Sequence, residues 1–99
     1  MARVNRITRE AAEALGIQAL AYLAGDPERL GRFLALSGLG PETIRAAAHD
    51  PGFLAGVLEY IAGDEALLVA FAEHVQAAPE HVAQAQGVLA GPARERDTA

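Results

Sequence analysis

Ninety-nine residues make one small domain with a modest core. The absence of cysteine excludes a disulfide framework, a thiolate metal site and a cysteine nucleophile. The net charge is −5, and from Glu10 to Gly91 eleven acids stand against Arg29, Arg32 and Arg45, which argues against a broad nucleic-acid-binding face.

Residues 1–7 read as a flexible basic arm, because Arg3 and Arg6 precede any helix signal and Arg9 follows closely. Thr8 is a helix cap by its hydroxyl, with Glu10 near the positive helix end. The first helix runs to about Ala24 on a stripe of Leu15, Ala19, Tyr22 and Leu23, and Gly25 is expected to end it in the left-handed conformation. Asp26-Pro27 opens a second helix: the carboxylate accepts from an orphan amide, and proline sits where its missing N–H costs nothing. Leu30, Phe33 and Leu34 form its stripe, and Gly38 closes it.

Pro41-Glu42 opens a short third helix with Ile44, Ala47 and Ala48 inward. Asp50-Pro51 repeats the cap-and-proline device for a fourth, which carries Leu54, Val57, Leu58 and Ile61 and ends at Gly63. Asp64 caps a fifth, with Leu67, Leu68 and Phe71 inward. Pro79-Glu80 opens a sixth on Val82, Ala85 and Leu89, and Gly91-Pro92 is expected to stop it, leaving residues 92–99 as a charged tail. No segment alternates with the period of a strand, so the 8–91 region is a single all-helical domain.

The pattern Asp-x-x-x-Leu-x-x-apolar occurs three times, from Asp26, Asp50 and Asp64. A shift of 38 residues also aligns Gly25-Asp26 with Gly63-Asp64, Phe33 with Phe71, and Pro41-Glu42 with Pro79-Glu80. The expected fold is therefore all-α: a compact bundle of about six short helices built on a duplicated helix–turn–helix pair. Two copies are too few for a solenoid. Connections of one to four residues make sequence neighbours pack together.

The runs Gly25-Asp26-Pro27-Glu28-Arg29-Leu30-Gly31-Arg32-Phe33-Leu34, Asp50-Pro51-Gly52-Phe53-Leu54 and Asp64-Glu65 with Phe71 carry a resemblance. They are similar to the small alphaproteobacterial proteins catalogued as domain-of-unknown-function family 3572, over roughly Thr8 to Leu89. These motifs are helix caps and core stripes, so the resemblance implies a fold and no activity, ligand or partner.

Several constellations invite a chemical reading. Gly38-Leu39-Gly40, followed by Pro41 and Glu42, resembles the turn of a helix-hairpin-helix element, whose amides hold a DNA phosphate. Against it, Ile44 stands where that element has alanine, and Glu42 puts a carboxylate where the phosphate sits. His49, His74 and His81 lack the i, i+4 spacing of a helical metal pair. Asp64 and Glu65 with Glu59 read as a cap and solvent-facing acids, and Ser37 has no recognisable base. Gly31, Gly52 and Gly56 lie inside expected helices, where each costs about 1 kcal/mol against alanine, so they are expected to mark close helix packing or, second, a partner groove.

The functional expectation is a non-enzymatic protein-interaction or scaffold module, with a protein partner or self-association and no cofactor. The alternative is a nucleic-acid-associated module that uses Gly38, Gly40 and the N-terminal arginines. No apolar run approaches the ~18 residues of a membrane span. No apolar stretch follows the first arginines to make a secretory signal, so the expected compartment is the cytoplasm. Arginine without lysine, with abundant alanine and glycine, points to a GC-rich bacterial genome.

Overall fold

Four helix starts in this chain are set by single side chains. In a computed structural model, which describes the backbone of residues 7–98 and the side chains of residues 7–40 and 42–90, six α-helices follow one another. They are α1 (Arg9–Ala24), α2 (Pro27–Ser37), α3 (Pro41–Ala47), α4 (Pro51–Ala62), α5 (Glu65–His74) and α6 (Pro79–Thr98). Thr8 Oγ1 accepts from the Ala11 amide at 3.0 Å, Asp26 from Glu28 at 3.0 Å, Asp50 from Gly52 at 2.9 Å and Asp64 from Leu67 at 3.2 Å. Each bond satisfies an amide that the first helical turn leaves without a partner.

Two expected helix ends need correction. Gly25 does not turn left-handed: its φ is −74°, and its N–H still bonds back to Ala21 and Tyr22. The corner is made instead by Asp26, whose extended backbone (φ −128°, ψ 107°) lets α2 begin at Pro27. Nor does Gly91-Pro92 stop the sixth helix, which continues to Thr98. Proline there deletes one rung of the hydrogen-bond ladder, yet Ala93, Arg94, Glu95 and Arg96 are strong helix formers that resume it. The stretch 92–98 is thus a continuation of α6. Within the expected arm, residues 1–6 lie outside the described residues, and Ile7 packs against the core.

The core is an all-α bundle centred on α1, α4 and α6, which pack mutually. Leu15, Ala19 and Leu23 of α1 meet Leu54, Val57, Leu58 and Ile61 of α4, with Val82, Ala85 and Leu89 of α6 completing the cluster. Phe33 from α2 and Phe71 from α5 are buried at its edges. The shortest dimension, 19 Å, leaves room for about two helix diameters.

Helix α1 crosses α4 at Gly16. A Cβ there would lie 2.9 Å from Leu54 Cβ, so only glycine lets the two helices approach this closely. The interior glycines singled out from the sequence do something else. Gly31 and Gly56 face open space, and Gly52 nears only its own capping Asp50, so none marks a helix contact.

The expected duplicated pair is not packed alike in its two copies. Helix α5 lies against α6, but among the described residues no helix packs along α3. The 38-residue spacing nevertheless reaches further than the caps. Leu20, Tyr22, Leu23 and Ala24 precede Gly25-Asp26 as Leu58, Tyr60, Ile61 and Ala62 precede Gly63-Asp64. Gly38 and Gln76, the positive-φ residues among those described, are the same distance apart, with φ of 76° and 58°. The aromatic contacts are reciprocal: Tyr22 meets Phe71 at 5.5 Å, and Tyr60 meets Phe33 at 5.2 Å. Gly16 and Leu54, which touch each other, are also 38 apart.

Candidate functional site

Helix α1 carries two apolar faces. One is the core stripe; the other, Ile17, Ala21 and Ala24, is exposed, with Leu20 at its edge packed partly against the core. No charged residue occurs between Ala14 and Gly25. Ile17 is 48% exposed, and Leu36 and Val69 are further exposed aliphatics among the described residues. Leu30 and Leu34 of α2 form the second wall and Ile44 and Ala48 of α3 the third, enclosing an open groove of about 470 Å³. Its ionisable lining groups are Arg45 and His49, both exposed on the α3 side.

A second hollow, about 400 Å³, lies across α1 and the end of α5 and is lined by Gln18, Ala21, Tyr22, His74, Val75 and Gln76. The Tyr22 ring is its organising element. It stacks obliquely on His74 at 5.0 Å, and Arg29 Cζ stands 5.4 Å from its centroid. Arg29 Nη1 donates to Tyr22 Oη at 3.4 Å and lies 3.8 Å from Asp26 Oδ2. The arginine thus ties the α2 cap to the ring by charge and by cation–π attraction.

Of the other sequence candidates among the described residues, only His49 and His74 line these hollows. Gly38 ends α2 in the left-handed region, and Gly40 starts α3 in an extended conformation, with no side-chain cap. Ser37 Oγ accepts from the Leu39 amide and donates to Leu34 O, both at 3.3 Å, and the Gly38 amide donates to Leu34 O at 2.9 Å, so two amides of the Gly38–Gly40 turn are already engaged. Glu42 is exposed in the first turn of α3. Arg3 and Arg6 lie outside the described residues. Arg9 belongs to α1, not to an arm, and pairs with Glu13 at 3.7 Å. The three histidines are dispersed: His49 at the groove, His74 on Tyr22, and His81 exposed on α6. Glu59, Asp64 and Glu65 are all exposed, and among the described residues no three metal-ligating side chains cluster.

With this geometry in hand, the comparison with known families is short. A family model described as protein of unknown function (DUF3572) matches residues 9–92. The chain belongs to that family. The DUF3572 match begins at the first residue of α1 and ends inside α6, so it covers both hollows and the whole core. No curated protein and no solved structure matches the chain.

The groove residues escape a reading of the sequence alone because Leu30, Leu34 and Ile44 belong to stripes already used for packing, while Ile17 falls outside the α1 stripe. The available signal was the charge-free run of α1, which is wider than a single buried stripe requires.

Proposed function

We infer that this protein is a non-enzymatic, cytoplasmic interaction module whose working surface is the groove between α1, α2 and α3. One observation carries the reading: a charge-free helix face exposes Ile17 beside Leu34 and Ile44, in a chain that is strongly acidic elsewhere. An exposed apolar patch framed by polar residues marks an interaction surface. Its volume falls within the range of about 300–1,000 Å³ at which clefts bind partners or ligands.

A photo-reactive residue placed at Ala21, expressed in the native host, tests this. Protein adducts are expected from Ala21 and not from the exposed Gln84 of α6. Equal labelling at both sites, or none at Ala21, would sink the reading. The same reading expects no useful affinity for duplex DNA near 150 mM salt (about the physiological value), since few cations are present to displace counterions. Fluorescence anisotropy on a labelled duplex checks it. Sub-micromolar binding lost on Gly40→Ala would replace the interaction module with a nucleic-acid one.

A further inference from the structure

The groove has a filled counterpart inside the same molecule. Moving 38 residues along the chain carries Ile17 to Ala55, Leu20 to Leu58, Leu34 to Ala72 and Ile44 to Val82. All four of the later residues are buried, at 5%, 0%, 2% and 0% exposure, whereas none of the four earlier ones is. Tyr22 of α1 meets Phe71 of α5 as Tyr60 of α4 meets Phe33 of α2, and α1 crosses α4 at the matched positions Gly16 and Leu54. What differs is the third helix. Helix α6 lies along α4 and against α5 and closes that seat, while the seven-residue α3 stands off and leaves its own open.

We propose that the groove is a seat for an amphipathic α-helix of a partner protein, with a narrow apolar stripe and carboxylates directed at Arg45 and His49. This rests on the interaction-module reading and adds the chemistry of the partner. The filled seat supplies the template. Helix α6 presents Val82, Ala85 and Leu89, spaced by three and four residues, so a small residue lies between two larger ones. That is the anchor pattern of a helix laid in a groove. The rim supplies the charge preference, because the ionisable groups lining the groove are a guanidinium and an imidazole, and they favour an acidic helix.

The probe is a synthetic peptide of the α6 sequence, residues 79–98, added to the full-length protein and followed by amide and methyl NMR shifts. Shifts centred on Ile17, Leu20, Leu34 and Ile44 are expected. Ile17→Glu should weaken binding about tenfold or more, as loss of a central anchor does. Arg45→Glu should weaken it only about two- to fivefold, as an exposed charge does. Both sites are exposed, so both variants should keep the parent's thermal melt, and Ala21→Arg gives a second block on the same α1 wall as Ile17.

Four outcomes would overturn the proposal. Shifts centred on Ala55, Leu58 and Ala72 would mean that the peptide only displaces α6 from its own seat. Groove shifts with dodecanoate but not with the peptide would make this a site for anionic amphiphiles. A concentration-dependent dimer abolished by Ile17→Glu would assign the groove to a second copy. Absence of any shift would remove the helix altogether. In that last case adducts at Ala21 in the host would leave the interaction module standing with a non-helical partner, so the two failures are separable.

Discussion

The first three helices and the last three begin alike and finish differently. Asp26 and Asp64 have nearly the same backbone angles, φ −128° and −124° with ψ 107° in both, and Gly25 and Gly63 precede them at −74° and −77°. Local chemistry therefore repeats closely. Burial does not, since Val82 on α6 is fully enclosed while Ile44 on α3 is only partly so. Side chains that cap and turn set where a helix begins and bends. How much apolar surface the helix then hides depends on its length and on which neighbour it reaches. One half of the molecule thus closes a core, and the other keeps an apolar face in water.

The contrast can be broken most severely at the paired phenylalanines. Phe71→Ala should cost roughly 3–5 kcal/mol, because it empties a fully buried site beneath Tyr22. Phe33→Ala should cost less, since Phe33 keeps some exposure where Phe71 has none. Urea denaturation of both variants measures the gap, and equal losses would show that the two sites are packed equally well.

Next comes the crossing of α1 and α4. Gly16→Ala should destabilise by about 1–3 kcal/mol through overpacking. Adding Leu54→Ala should not rescue it, because the obstructing atom is the Leu54 Cβ, which alanine retains. Gly56→Ala, with nothing near its added methyl, should instead stabilise by up to about 1 kcal/mol. A stabilising Gly16→Ala would place the helices farther apart than described.

The caps should respond more evenly. Asp26→Ala, Asp50→Ala and Asp64→Ala should each lower stability by about 1 kcal/mol, seen as a reduced thermal midpoint. If none of the three melts earlier, the capping bonds contribute nothing.

The smallest effect is expected at the two left-handed residues. Gln76 adopts φ 58° without being glycine, so Gln76→Gly should raise stability by less than about 1 kcal/mol, whereas Gly38→Ala should lower it by a similar amount. Opposite signs at matched positions would show that both halves use the same turn with different residues. Matching signs would separate them.

Most of the helix order is legible in the sequence because its determinants are local. A carboxylate before proline fixes a start whatever the rest of the chain does, and the core stripes from Leu15 to Leu89 follow from helical spacing. Events that depend on distant partners are not legible in that way. Proline at position 92 reads as a stop, yet the helix passes through it. Gly16 looks like one more small residue in an alanine-rich helix, and only the arrival of Leu54 gives it a role. Leu34 is indistinguishable from a core residue by pattern, and Ile17 lies beside the α1 stripe. Their exposure follows from the short α3, which packs along no helix among the described residues. The tyrosines that precede each Gly-Asp step are visible in the sequence, but their crossed pairing with the phenylalanines needs three dimensions.

The central position of α6 also bears on synthesis. Helices α1 and α4 both rest on α6, which follows them in the chain. A nascent chain that has released α1 through α5 from the ribosome can form the α1–α4 crossing but still lacks the helix that packs along both. Its apolar surface stays uncovered until the last helix emerges, and this is the interval in which partly made domains associate wrongly. Closure of the core is then nearly coincident with release of α6, so the domain should fold late and in one step rather than helix by helix.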